Sequence, residues 1–284
     1  MKRNILNSPR LSELKKRRRR RFLNKVLIFL FLLGIGLTLL AYFSRLPGIN
    51  IETIEVRGNS IVSAEAIQAG AEAQLMGKYF WLFPKTNVLF YPKSKIKKSL
   101  AAEYQRLGEI VLSVQDNRIL IISVTEREPL FTWCGVDWPA SEGEQCYFLD
   151  RAGYIFDIAP YFSGEVYFKF YGSAGVQTTD PIGSYFAREH FLNFILFKET
   201  LTALELKPVV LWLKDDGDAE IFLSRSSDDK PKIIIQANTD MENLAENLSA
   251  ALETEPLKTR IEKEYSKLEY LDLRFDDKVY SKFK

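Results

Sequence analysis

Between residues 53 and 124 the spacing of apolar positions changes from two to three or four and back again, which separates strands from helices. Ile54 and Val56 face one way and Thr53, Glu55 and Arg57 the other, the alternation of a half-buried strand. Gly58-Asn59-Ser60 supplies a turn, and Ser63 is an N-cap for a helix whose Ile67, Ala71 and Leu75 lie on one stripe. A second helix is predicted from Pro92 through Tyr104, with Ile96, Leu100 and Tyr104 four apart and Lys97 and Lys98 turned outward. A hairpin follows. Ile110, Leu112 and Val114 share a face, Gln115-Asp116-Asn117-Arg118 turns, and Leu120, Ile122 and Val124 share a face again. Strand, helix, helix, strand, strand makes a small α+β layer, with two helices over one face of a three-stranded sheet.

From Glu128 the pattern shortens into strands and hairpins. Cys146-Tyr147-Phe148-Leu149 and Tyr154-Ile155-Phe156 flank the turn Asp150-Arg151-Ala152-Gly153, and 209–213 and 219–223 flank Asp215-Asp216-Gly217-Asp218. Helices are predicted over 188–206 and from the capping box Thr239-Asp240-Met241-Glu242, the latter burying Leu244, Leu248 and Leu252. The last strands alternate as well. Leu271, Leu273 and Phe275 oppose Tyr270, Asp272 and Arg274; after Asp276-Asp277, Val279 and Phe283 oppose Lys278, Tyr280 and Lys282. The final strand is a sheet-edge candidate. With no internal repeat or low-complexity linker, the two modules, 49–127 and 128–284, are expected to meet near Glu126 to Leu130.

Upstream, Val26 to Phe43 carries no charge and would extend ~27 Å as a helix, against a hydrocarbon core of ~30 Å. Seven basic residues, Lys15 to Arg21, precede it, and Tyr42-Phe43 end it where interfacial aromatics belong. A buried core helix rarely follows such a run. A cleaved signal is disfavoured by the length of the basic region and by the exit Tyr42-Phe43-Ser44-Arg45-Leu46-Pro47. The expectation is a cytoplasmic tail over 1–25, an uncleaved span over 26–46, and the rest of the chain outside, a type II arrangement.

Charge supports this division. Residues 1–25 hold 11 Lys and Arg against Glu13, leaving 28 basic and 36 acidic residues for the remainder. Such segregation points to two compartments rather than a nucleic-acid-binding face, and no nucleic-acid partner is expected. Two cysteines and one histidine are too few for a thiol-and-imidazole zinc site. Cys134 and Cys146, 12 apart across a predicted hairpin, read equally as an extracytoplasmic disulfide or as two buried thiols. His190 reads as a surface or helix-packing residue, Gly172-Ser173-Ala174-Gly175 lacks nucleophile-elbow spacing, and Asp215-Asp216-Gly217-Asp218 lacks the calcium-loop pattern. No catalytic residue, metal, cofactor or small-molecule substrate is expected. The aromatic stretch Tyr79-Phe80-Trp81-Leu82-Phe83-Pro84, with Phe90-Tyr91, is read first as packing within the first module and second as a membrane or partner patch.

Four motifs occur in order along the chain: Ile54-Glu55-Val56-Arg57-Gly58-Asn59, Val124-Thr125-Glu126-Arg127-Glu128-Pro129, Phe148-Leu149-Asp150-Arg151-Ala152-Gly153-Tyr154-Ile155-Phe156, and Tyr270-Leu271-Asp272-Leu273-Arg274-Phe275. On these, behind a basic tail and one span, the chain resembles the FtsQ/DivIB cell-division family, and its first module is similar to that family's POTRA domain. The resemblance implies a septal plasma-membrane scaffold that binds partners of the FtsB and FtsL type and helps to control septal peptidoglycan synthesis. It places partner binding at Leu273, Arg274, Phe275, Lys278, Val279, Tyr280 and Phe283. Edge-strand physics points the same way, since unpaired amides and carbonyls accept a partner strand by β-augmentation, and Arg274 would suit a partner's acidic side chain. Two other roles compete: a membrane-anchored cell-wall enzyme, which needs a cleft of convergent Ser, Lys or carboxylate groups, and a polypeptide-transport component, which normally adds further modules and a barrel.

Overall fold

The computed structural model describes residues 9–138, 144–224, 231–275 and 278–284, with side chains from residue 15. The protein is mixed α/β, and among the described residues one N-terminal helix is long and apolar enough to cross a membrane. That helix, α1 (Pro9–Phe43), leaves its apolar side chains outside any core: Phe29, Phe31 and Tyr42 are more than three-fifths exposed. A core helix would bury them. Only toward its end does packing begin, with Ala41 and the following Ser44 buried.

The chain divides into two compact units, one built from the chain up to Tyr104 with Glu109–Thr125, the other from Gln105–Gly108 with Glu126–Lys284. The first contains β1 (Thr53–Arg57), α2 (Ala64–Leu75), β2 (Lys78–Tyr79), β3 (Phe83–Pro84), α3 (Lys93–Glu103), β4 (Leu107–Gln115) and β5 (Ile119–Glu126), the last two strands extending a few residues past it. Its sheet runs β1-β5-β4, with β1 parallel to β5. Ser63 caps α2 by accepting from the Ala66 amide, and Ile67, Ala71 and Leu75 are buried along the predicted stripe. Ile96 and Leu100 of α3 are fully buried, and α3 meets α2 closely at Gly70, where a Cβ would stand 2.9 Å from Leu100. The 115–118 turn has positive φ at Asp116 and Asn117, the type I′ geometry that matches strand twist. The short β2–β3 hairpin was not predicted. Its aromatic tip does not pack inside the unit, because the three-residue turn 80–82 carries Phe80 and Trp81 beyond any neighbour that could cover them.

The second unit contains β6 (Phe131–Trp133), β7 (Tyr147–Leu149), β8 (Ile155–Ile158), β9 (Lys169–Tyr171), α4 (Phe191–Ala203), β10 (Pro208–Leu213), β11 (Asp218–Leu223), β12 (Lys232–Gln236), α5 (Met241–Glu253), α6 (Leu257–Glu264), β13 (Leu268–Phe275) and β14 (Lys278–Phe283). They form one nine-stranded sheet in the order β14-β13-β12-β11-β10-β9-β6-β7-β8. The predicted hairpins are antiparallel pairs within it, and parallel pairings β12/β13, β9/β10 and β6/β9 join them. Its main core contains Phe170, Leu211, Ile221, Ile233, Leu271 and Leu273 from the sheet, with Phe191, Phe194, Phe197, Leu244 and Leu248 from α4 and α5. Each such side chain contributes about 1.5–3 kcal/mol by leaving water.

Two helix starts differ from expectation. α4 begins at Phe191 rather than Arg188, since the chain reaches it through a positive-φ residue, Ala187. The N-cap of α5 is Asp240, not Thr239: its carboxylate accepts from the Glu242 and Asn243 amides. The predicted Asp276-Asp277 turn lies outside the described residues.

Candidate functional site

At the end of the sheet, β13 departs from simple alternation. Leu271 and Leu273 are buried as predicted, but Asp272, expected on the solvated side, is buried too, while Phe275 is 52% exposed. The reason is Arg274, two residues on and therefore on the same side of the strand. Its Nε donates to Asp272 Oδ1 at 3.0 Å and its Nη2 to Oδ2 at 2.7 Å, while Nη1 reaches Asp218 Oδ2 at 2.6 Å. Arg274 thus ties β13 to the start of β11. It is already engaged by two carboxylates of its own chain. Burial pushes the Asp272 carboxyl up, but hydrogen bonds and charge from Arg274 outweigh this and leave its pKa below the ordinary value. Glu220 on β11 follows the same logic: burial raises it, and Lys214 at 2.6 Å and Lys232 at 2.8 Å bring it down on balance.

A pH dependence follows. Carboxyls with depressed folded pKa values stabilise the fold above their unfolded pKa of about 4, and that contribution is lost as pH falls through the folded values. Asp272→Asn is expected to lower the melting temperature at pH 7 yet flatten its decline between about pH 5 and pH 3. Equal acid steepness in both proteins, measured by thermal denaturation, would contradict the role given to Asp272.

The remaining predicted residues divide by exposure. Leu273 belongs to the core, and Val279 and Phe283 are half-buried against it, with Arg260 lying 3.9 Å from the Phe283 ring centre. Lys278 and Tyr280 face solvent on β14, and the Tyr280 ring meets that of Phe275 edge-on at 5.2 Å. Among the described residues no strand pairs with the outer side of β14. Phe275, Lys278, Tyr280 and that open backbone edge form the candidate site.

The other motif residues act as internal clamps. Asp150 Oδ1 accepts from the Ala152 and Tyr154 amides, closing the β7–β8 turn, while Oδ2 pairs with Nη1 of Arg127, whose Nε donates to the Gln105 carbonyl. Tyr154 stacks under Arg127 at 4.2 Å and its hydroxyl bonds the Gln105 side chain. At Gly153, φ is +76° and a Cβ would sit 2.7 Å from Phe191 Cγ; at Gly58, with φ +84°, it would sit 2.3 Å from the Val124 carbonyl oxygen. Cys134 and Cys146 are joined as a disulfide, extending the β6–β7 register by one pair beyond Trp133 and Tyr147. This resolves the open alternative.

No family model and no curated protein matches this sequence. The site therefore rests on its own geometry.

A polar hollow of about 440 Å³ is lined by residues that include Ser173, His190, Lys214, Asp215 and Asp218. Ser173 Oγ donates to Asp215 Oδ1 at 2.7 Å, Lys214 is held by Glu220, and Asp218 by Arg274. His190 stands at the N-cap of α4. The Asp215–Asp218 segment is a hairpin turn, with Gly217 at φ +89° and the Asp218 amide bonded to Asp216. Among the described residues no His, Cys, Asp and Glu cluster is placed to hold a metal ion.

Proposed function

We propose that this chain is a single-pass division scaffold of the FtsQ/DivIB type. It offers β14 to an extended segment of an FtsB- or FtsL-like partner and so helps to control septal wall synthesis. The observation that carries the reading is the open β14 edge flanked by the exposed Phe275–Tyr280 pair, where backbone pairing supplies affinity and two aromatics supply specificity. The element order β1-α2-α3-β4-β5 around the sheet β1-β5-β4 supports a POTRA-type first module. The basic run in the first half of α1, ahead of its apolar stretch, favours an inward amino terminus, and the Cys134–Cys146 bridge favours an oxidising compartment for the second unit.

Depletion of the protein tests the role directly. Cells are expected to elongate without completing septa, and a tagged copy is expected at midcell. Normal division after depletion would refute the proposal.

A further inference from the structure

The β2–β3 hairpin turns through Phe80 at φ 48° and Trp81 at φ 61°. Two successive left-handed residues suit Asn and Gly; bulky aromatics there are strained, and such strain concentrates at functional positions. Neither ring is used internally, for Phe80 is 87% and Trp81 89% exposed, with Leu89 and Phe90 also exposed. Tyr79, Phe80, Phe83 and Phe90 line an apolar hollow of about 350 Å³. Apolar surface of this kind marks an interaction site.

The hairpin is latched to the exit of α1. Asn87, 1% exposed, donates from Nδ2 to the Ser44 carbonyl at 3.1 Å, and Arg45 Nη2 donates to the Leu82 carbonyl at 3.3 Å. Asn50 Nδ2 bonds the Ser44 and Leu46 carbonyls, and its Oδ1 accepts from Thr86 at 2.9 Å. Backbone bonds from Ile51 to Thr86 and from Val88 to Ile49 complete the latch. One arginine side chain therefore separates the hairpin tip from the point where the apolar helix ends.

We propose that the hairpin is a bilayer wedge: Phe80 and Trp81, supported by Leu89 and Phe90, enter the boundary between lipid headgroups and acyl chains beside α1. Trp is suited to that boundary, where one side of the ring meets hydrocarbon and its N–H meets polar groups. Lys78 and Lys85, on either side of the tip, carry charge that anionic headgroups attract. The wedge fixes the tilt of the first unit on the membrane. It rests on the anchoring role of α1 and not on the division reading.

The test uses the full chain in vesicles of phosphatidylethanolamine and phosphatidylglycerol, some carrying lipid brominated high on the acyl chain. Of the four tryptophans, Trp81 alone lies in the first unit, and α1 has none. Bromolipid is expected to quench part of the emission, and Trp81→Phe, which preserves an apolar ring, is expected to abolish that part. Quenching unchanged by Trp81→Phe would overturn the wedge, as would no quenching in protein that still resists carbonate extraction. Loss of a dimer in the Phe80→Ser/Trp81→Ser double variant, with no quenching in the parent, would assign the patch to a second copy and overturn it too. Carbonate extraction of the unaltered protein would instead report failure of the anchor.

Discussion

Tyr280→Asp is expected to weaken binding of the proposed FtsB-type partner by at least about 30-fold, corresponding to loss of a hot spot of about 2 kcal/mol. Tyr280 stands on the edge strand, half-exposed, with the Phe275 ring against it, so an incoming strand would cover both rings. A carboxylate at that position would lose the ring contact and place an unpaired charge in the contact. Phe275→Asp should act similarly, and the double variant should cost less than the two singles combined because the rings touch each other. The melting temperature should stay close to that of the parent, as neither ring belongs to the core. Arg274→Ala is a poorer probe. It strips the counter-charge from buried Asp272, so lost binding would be confounded with lost stability. Full binding by a folded Tyr280→Asp protein, measured by titration of the membrane-reconstituted chain, would remove these two aromatics from the site.

Gly153→Ala is expected to destabilise the second unit by about 2–4 kcal/mol, combining left-handed strain with forced overpacking. The new methyl would meet Phe191 Cγ at 2.7 Å and the Phe186 carbonyl oxygen at 2.9 Å, so both α4 and the segment before it must shift. The Asp150 turn and its pairing with Arg127 would loosen with them. Thermal denaturation should show a fall of about 5–15 °C in the transition of this unit. A shift within error would mean that the β7–β8 turn relaxes without cost and that the glycine serves another purpose.

Local features were legible where chemistry and spacing act over a few residues. The Asp116-Asn117 turn, the Ser63 cap and the Ile67, Ala71, Leu75 stripe all follow from neighbours in sequence. What escaped was long-range. The alternation of β12, with Ile233 and Ile235 buried and Ile234 only half-buried, is hidden in the sequence by three consecutive isoleucines; short β9 is joined by parallel pairings to β6 and β10, which no turn announces. Asp272 was placed in solvent by its period-two position, and the signal against this was Arg274 two residues later, one side-chain row along the same face. Phe80 and Trp81 gave no turn signal, since neither residue type predicts positive φ. Of the candidate site, the edge position of the last strand was legible from alternation and chain order. The division between Arg274 as an internal clamp and Phe275 with Tyr280 as exposed surface needed coordinates.

Amide hydrogen exchange across β14, in the full chain held in lipid nanodiscs with and without the proposed FtsB-type partner, probes backbone recognition most closely. Slowed exchange confined to 278–283 and the adjoining end of β13 is the expected result, because a new strand would take up the outward amides. Protection elsewhere, with β14 exchanging at its unbound rate while the partner is bound, would contradict strand addition at this edge.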